Sequence, residues 1–155
     1  MSRAFVKESD DETGPLADRP ISPHRNFVTA WGMAAIEANL NRFRAAHRSA
    51  IAKNDKQAVA AALRELRYWR TRRSNAEVVK PLSAPDRVSF ATTVTLRRDD
   101  GREQTFTIVG EDEADPSSGT VSYLSPVARA SMGRAIGDSI DLSSQTAVIL
   151  NIISS

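Results

Sequence analysis

The chain has 155 residues, of which 41% are hydrophobic and 26% are charged, a composition typical of folded soluble proteins. This length allows one ordinary domain, or a small globular domain with a helical appendage, but excludes a large enzyme core. The absence of cysteine excludes disulfides, thiolate metal sites and cysteine nucleophiles. The formal net charge is only +2, so attraction to nucleic acid would require local clusters of basic residues.

The first 24 residues show neither a helical nor a strand period, and we expect residues 1–24 to form a disordered tail. The tail contains an acidic run, Glu8, Asp10, Asp11 and Glu12. Acidic runs of this kind are usually solvated, so we assign this one no metal and no chemistry. No secretory signal and no apolar stretch of membrane-spanning length occurs. We therefore expect a cytoplasmic protein without a membrane segment.

A heptad pattern begins after Phe27 and predicts a helical hairpin over residues 27–76. Its first arm carries the pattern at Met33, Ile36, Leu40, Phe43, His47 and Ala50. The second arm carries it at Val59, Leu63, Leu66 and Trp69. The short connection between the arms favours an antiparallel coiled coil. Asn54 is expected to cap the second helix, with Gln57 completing a capping box.

Two features of this hairpin allow both structural and functional interpretations. His47 lies on the apolar seam and is expected to be a packed side chain, because two histidines in the chain are too few for a metal cage. Five arginines in the second arm could contact phosphates, namely Arg64, Arg67, Arg70, Arg72 and Arg73. Arginines near a helix C-terminus also commonly form a solvated face. Contact with nucleic acid and contact with an acidic protein surface both remain open.

From residue 80 onward the hydrophobic period changes to two, which predicts β-strands. Residues 88–96 alternate, Asp99-Asp100-Gly101 offers a hairpin turn, and residues 105–109 return as a second strand. A third strand is expected over residues 120–124, then a short helix from Ser125-Pro126 to about Gly133. Two more strands are expected at residues 139–142 and 147–153. The fold class is therefore α+β, with one antiparallel sheet wrapped on a single helix over residues 80–155.

Residues 105–142 resemble the C-terminal domain of the GreA/GreB transcription elongation factors. The resemblance is carried, in chain order, by Ile108-Val109-Gly110, Asp112-Glu113-Ala114-Asp115, Ser125-Pro126, Ala128-Arg129-Ala130, Gly133 and Gly137-Asp138. A weaker likeness covers roughly residues 27–153 and includes the junction at residues 75–79. The resemblance implies an FKBP-like fold for the C-terminal domain. It also implies docking at the rim of the secondary channel of bacterial RNA polymerase.

The same resemblance implies a docking surface and a hairpin tip. The docking residues would be Ser122, Leu124, Ser125, Pro126 and Arg129. In the family, an acidic pair at the tip helps to hold a second magnesium ion in the active centre of the polymerase. Here the hairpin looks shortened and its tip is Lys53, Asn54, Asp55 and Lys56, in which the lysines would repel a metal ion. In this respect the chain is similar to the regulator of nucleoside diphosphate kinase, a short-coil relative.

We therefore expect a monomeric RNA polymerase-binding regulator that is not an enzyme and needs no cofactor or metal. One alternative is an active transcript-cleavage factor that uses Asp55. A second alternative is DNA or RNA binding through the arginine-rich helix. A third follows from the FKBP-like shape and is prolyl isomerisation, for which the domain offers only Phe90, Phe106 and Tyr123 as aromatic side chains.

Overall fold

The computed structural model describes residues 15–155. Its helices and strands, in chain order, are β1 (Asn26–Val28), α1 (Ala30–Ala52), α2 (Lys56–Ser74), β2 (Ala76–Val78), β3 (Thr92–Arg98), β4 (Glu103–Val109), β5 (Thr120–Ser122), α3 (Pro126–Ser131), β6 (Ser139–Leu142) and β7 (Gln145–Ser154). Two 3-10 turns, Glu111–Glu113 and Pro116–Ser118, lie between β4 and β5. The fold class is α+β, as the sequence predicts. Within residues 15–155 no helix has the length and apolar character needed to cross a membrane.

The two long helices form the predicted hairpin. Helix α1 has 23 residues and would be about 35 Å long at 1.5 Å per residue, while α2 has 19 residues. The heptad seam is confirmed, because Ile36, Leu40 and Leu66 are buried together. Partly buried side chains complete the seam, namely Met33, Phe43, Leu63 and Trp69. His47 is half-buried on the same helix face, as expected for a packed histidine.

The base of the hairpin is closed by a two-stranded parallel sheet that the sequence pattern did not reveal. Strand β1 pairs with β2, so that Asn26 faces Ala76 and Val28 faces Val78. Strands of three residues are too short to show a period of two. This pairing joins the segment that enters α1 to the segment that leaves α2.

Residues 15–24 contain no helix or strand and run along α2. The Arg19 guanidinium lies 2.7 Å from the Glu65 carboxylate, and Arg64 Nε donates to the carbonyl of Ala17 at 2.8 Å. Residues 1–14, which include the acidic run, lie outside the described residues. The described part of the predicted tail therefore has contacts with the second arm of the hairpin.

The C-terminal domain is a five-stranded sheet with the strand order β5-β4-β3-β7-β6. Most neighbours are antiparallel, but β5 runs parallel to β4, with Thr120 beside Thr107. The prediction of a purely antiparallel sheet was therefore wrong at this edge. Parallel pairing requires a crossover, and residues 110–119 supply it through the two 3-10 turns.

Strand β3 begins at Thr92, four residues later than the alternating pattern indicated. Val88 pairs instead with the segment after α3, because its N–H donates to Arg134 O and its carbonyl accepts from Gly133 N, both at 2.8 Å. Ala91 has a φ of 61°, which interrupts the extended backbone. Val88 and Phe90 are nevertheless buried in the core. Burial alone therefore produced their alternation.

The two faces of the sheet differ in character. The inner face packs Val94, Leu96, Phe106 and Ile108 against Ala128 of α3, and all of these residues are buried. The outer face, defined here by Thr93, Thr95, Thr105 and Thr107, carries cross-strand hydroxyl pairs. The Oγ1 atoms of Thr93 and Thr107 lie 2.8 Å apart, and those of Thr95 and Thr105 lie 3.0 Å apart. One face of the sheet is thus core and the other carries hydroxyl groups.

Candidate functional site

The five residues predicted for docking lie together at one corner of the C-terminal domain, where β5 turns into α3. This docking corner consists of Ser122, Leu124, Ser125, Pro126 and Arg129. Ser122 ends β5, and its Oγ accepts a hydrogen bond from Leu124 N at 3.1 Å. Ser125 Oγ accepts from Ala128 N at 3.4 Å and caps α3, while Pro126 is its first residue. The corner is therefore ordered by local hydrogen bonds before any partner arrives.

The docking corner exposes the apolar ring of Pro126 and the guanidinium of Arg129. Pro126 and Arg129 are exposed, whereas Leu124 and Ser125 are half-buried. Within residues 15–155 no acidic side chain lies within 4 Å of the Arg129 guanidinium. Arg129 is thus available for an acidic group on a partner.

The hairpin tip differs from the prediction in its capping residue. Asp55, not Asn54, is the N-cap of α2, and its Oδ1 accepts from Ala58 N at 3.0 Å. Asn54 follows Lys53, the C-cap of α1, and takes a left-handed backbone conformation with a φ of 53°. Asparagine tolerates this conformation better than most residues. An N-cap residue has an extended backbone, so Asn54 in the left-handed conformation cannot be the N-cap. All four tip residues are exposed.

This assignment predicts different costs for two neighbouring substitutions. Asp55→Ala removes the cap and is expected to lower the free energy of unfolding by about 1 kcal/mol. Asn54→Gly keeps the left-handed conformation and is expected to change it by no more than a few tenths of a kcal/mol. Urea denaturation, monitored by circular dichroism, measures the change in the free energy of unfolding for each variant. Equal effects of the two substitutions would contradict the assignment of Asp55 as the cap.

The five arginines of α2 do not form one surface. Arg64 and Arg67 contact the N-terminal segment, where the Asp18 carboxylate lies 2.5 Å from Arg67 Nε. Arg70 and Arg73 are exposed, and Arg73 lies 3.1 Å from Glu37. Arg72 has a side chain only 1% exposed and points into the joint between the hairpin and the C-terminal domain. The structure therefore divides the predicted cluster into three environments.

The buried Arg72 organises a polar joint that sequence reasoning missed. Its Nε donates to Asp112 Oδ2 at 2.5 Å, and one terminal nitrogen donates to Asn26 Oδ1 at 2.7 Å. Glu111 adds a second carboxylate 3.6 Å away. Tyr68 donates its hydroxyl to Asp112 Oδ1 at 2.5 Å. Asp112 thus joins two side chains of α2 to the C-terminal domain.

Tyr68 makes this joint sensitive to alkaline pH. Burial, and then the hydrogen bond to the Asp112 carboxylate, raise the pKa of Tyr68 to about 12. An unfolded tyrosine ionises near 10, so the stabilisation is complete below pH 10 and is lost as the pH rises towards 12. Because Tyr68 is partly exposed, we expect a loss of about 1 kcal/mol over this interval. Tyr68→Phe should remove this part of the pH dependence in urea titrations, and an unchanged slope would contradict the assignment.

A third carboxylate, that of Glu113, accepts hydrogen bonds at the start of α1. Glu113 Oε2 accepts from the backbone N–H groups of Thr29 and Gly110, each at 3.0 Å, and Oε1 accepts from the Thr29 hydroxyl. Gly32 lies so close that a Cβ there would be 2.2 Å from Glu113 Cδ. The absence of a side chain at residue 32 therefore permits the contact. Asp112 and Glu113 both belong to the motif by which the sequence resembled a family, and that was the available signal for this joint.

The aromatic side chains of the C-terminal domain are packed against neighbouring residues. Phe106 is 1% exposed in the core. Phe90 and Tyr123 pack with Phe27 of β1, with ring centroids 5.5 to 6.1 Å apart. The Tyr123 hydroxyl donates to the carbonyl of Arg25. These rings stabilise the contact between β1 and the domain.

Comparison with known proteins supports the resemblance seen in the sequence. The family described as Transcription elongation factor, GreA/GreB, C-term matches residues 83–154, which include the whole docking corner. GreA from Desulfovibrio desulfuricans is 39% identical over 93 residues, covering 59% of this chain and 56% of that protein. GreB from Neisseria meningitidis serogroup B is 44% identical over 81 residues, covering 51% and 50%. This chain is thus similar to the GreA/GreB factors over its C-terminal domain.

The extent of these matches is limited. The chain spans about half the length of the curated relatives it matches. Among solved structures, the elongation factor GreA/GreB from Nitrosomonas europaea is 21% identical, with a TM-score of 0.41 and coverage of 83% of this chain and 98% of that one. The GreA factor homolog Gfh1 of Thermus thermophilus is 17% identical, with a TM-score of 0.39 and coverage of 83% and 99%.

Proposed function

We propose that this chain binds bacterial RNA polymerase through its C-terminal domain and regulates transcription without stimulating transcript cleavage. The main support is the GreA/GreB family match, whose residues 83–154 contain the docking corner. The exposed Pro126 and Arg129 offer an apolar and a charged contact to a protein surface. Docking would take place at the rim of the secondary channel, in the cytoplasm, with the chain as a monomer.

The joint between the hairpin and the domain gives this docking a direction. Asp112 and Glu113 fix the base of both helices through hydrogen bonds. A domain held at the rim would therefore hold the hairpin at a defined angle, so that it could extend into the channel. The function proposed for the hairpin is to occupy the channel and alter the access of nucleotides or of other factors.

The hairpin tip supports the absence of cleavage activity. Promotion of cleavage by a second magnesium ion requires carboxylate oxygens at the tip. Asp55 is the one carboxylate among residues 53–56, and it already accepts the capping hydrogen bond of α2. Lys53 and Lys56 flank it and are exposed. The proposed factor thus acts without chemistry, metal or cofactor of its own.

Binding to core RNA polymerase tests the docking part of the proposal. The purified chain should bind, and an excess of a cleavage-competent Gre factor should displace it. Arg129→Glu should weaken binding by about tenfold or more, because it reverses a charge at the docking corner. The control Arg102→Glu, at the opposite end of β4, should bind as the unaltered chain does. Absence of binding, or binding that the Gre factor does not displace, would overturn the proposal.

Stalled elongation complexes test the cleavage part. We expect the chain to leave the length of the nascent RNA unchanged under conditions in which a Gre factor shortens it. Asp55→Ala should then behave like the unaltered chain. RNA shortening that disappears with Asp55→Ala would establish the alternative of an active cleavage factor.

Nucleic-acid binding by the hairpin is the second candidate function. The positive charge of the hairpin favours this function. Residues 30–74 contain ten Lys and Arg but only three Asp and Glu. Against it, Arg64 and Arg67 are engaged by the N-terminal segment and Arg72 is buried. Affinity for free single-stranded RNA that falls steeply with salt would support this function. Negligible binding would leave polymerase as the partner.

A further inference from the structure

Trp31 is an exposed tryptophan whose surroundings the proposed function does not explain. It is the second residue of α1 and is 86% exposed, more than any other large hydrophobic side chain described. Water contact with so large an apolar ring is unfavourable, and tryptophan is the residue type most enriched at binding hot spots. Leu82 and Ile153 are also at least half exposed. Each lies within two residues in sequence of Pro81 or Ser155, and these two residues line a cavity together with Trp31.

Trp31 stands at the edge of a cavity between the start of α1 and the outer face of the sheet. The cavity has a volume of about 710 Å³. Thr107 and Thr120 contribute its hydroxyl-bearing part, while Trp31, Ala35 and Pro81 contribute apolar surface. Its volume lies within the range of ligand-binding clefts, and its open shape suits an extended segment.

The charge of the cavity is entirely negative. Asp112 and Glu113 line it, and none of its lining residues is Lys, Arg or His. Asp112 is paired with Arg72, but Glu113 accepts hydrogen bonds only from neutral groups, namely the Thr29 and Gly110 amides and the Thr29 hydroxyl. Among residues 15–155 no basic side chain lies within 4 Å of the Glu113 carboxylate.

We propose that this cavity binds an extended protein segment through one arginine or lysine side chain. The cation would lie over the Trp31 indole face and be neutralised by Glu113, while the threonine hydroxyls would meet the backbone of the segment. A nucleic acid fits less well, because its phosphates would face an uncompensated carboxylate. The site is distinct from the docking corner, so either can fail without the other.

The test uses short synthetic peptides and nuclear magnetic resonance of the full chain. The probe is an acetylated and amidated Gly-Ser peptide with one central arginine, and its control carries neutral citrulline at that position. We expect the arginine peptide to shift the Trp31 indole resonance and the amides of Thr107 and Thr120, and the citrulline peptide to shift them much less. Trp31→Ala should weaken binding by about two- to fivefold, without affecting folding because the side chain is exposed.

Two further variants make the result decisive. Ile136→Ala removes another exposed hydrophobic side chain, one outside the cavity, and should bind the arginine peptide normally. Glu113→Gln keeps the side-chain shape and should reduce the difference between the arginine and citrulline peptides. The proposal is overturned if the arginine peptide leaves Trp31 unshifted, if citrulline binds equally well, or if a single-stranded RNA probe shifts Trp31 instead.

Discussion

Arg72→Leu is expected to lower the free energy of unfolding by about 3–5 kcal/mol, the typical cost of removing one partner from a buried ion pair. The Arg72 side chain is 1% exposed, and the Asp112 side chain is 11% exposed. After the substitution Asp112 would keep only the Tyr68 hydroxyl as a side-chain donor, and Asn26 Oδ1 would lose its donor. Urea denaturation of the full chain measures the change.

Two companion variants separate this effect from a general loss of positive charge. Arg73→Leu removes the neighbouring, half-exposed arginine and is expected to change stability by no more than about 0.5 kcal/mol. The double substitution Arg72→Leu with Asp112→Leu should recover part of the loss, because the Asp112 carboxylate is then no longer buried without its arginine. A cost below about 1 kcal/mol for Arg72→Leu would contradict the assigned role of the joint.

Gly32→Ala is expected to destabilise the chain by about 1–3 kcal/mol, although alanine is the better helix former. The added Cβ would lie 2.2 Å from Glu113 Cδ, so Glu113 would have to move away from the amides of Thr29 and Gly110. The control is Ala34→Gly, a change at an exposed position of the same helix, which should cost about 1 kcal/mol through helix propensity alone.

A double-mutant cycle with Glu113 tests the cause. Glu113→Ala alone should cost about 1.5–3 kcal/mol, because it removes hydrogen bonds to a charged group. In the Glu113→Ala background the methyl group added at residue 32 has room, so Gly32→Ala should become neutral or stabilising. The two costs should therefore be non-additive by about 1 kcal/mol or more. Simple additivity would show that the close approach of Gly32 and Glu113 is not the source of the effect.

These joint residues also bear on the proposed regulation of polymerase. Substitutions that loosen the joint should leave the docking corner intact, since Ser125 and Pro126 are ordered by contacts within α3 and β5. Such variants should therefore keep their affinity for polymerase yet lose the orientation of the hairpin. If the proposed function holds, binding and regulation can be separated in this way.

The sequence predicted most of the secondary structure because the hydrophobic periods of the helices and longer strands extend over enough residues to be detected. The heptad seam through Ile36, Leu40 and Leu66 identified the hairpin, and Gly101 marked the β3–β4 turn. The three-residue strands β1 and β2 escaped detection, since no period exists over three residues. The parallel direction of β5 was also not predicted, because side-chain alternation is the same in parallel and antiparallel strands.

The candidate site was predictable only in part. The motif Ser125-Pro126 specified a capped helix start, and the structure places the residues predicted for docking on one corner around it. The connection between the two helices falls at residues 53–55. The cap was assigned to Asn54 because the choice between Asn54 and Asp55 depends on backbone dihedrals. Sequence alone gave no reason to distinguish Arg72 from the other arginines of α2.

By itself, the sequence determined the order of helices and strands, the apolar seam, the family resemblance of residues 105–142 and the lack of an acidic pair at the tip. These properties depend on residue type and local spacing. Only the tertiary structure brought Arg72 to Asp112 and Thr29 to Glu113, across sequence separations of 40 and 84 residues. Such contacts are set by how the hairpin packs on the sheet, which no local pattern encodes, and they create both the joint and the cavity beside Trp31.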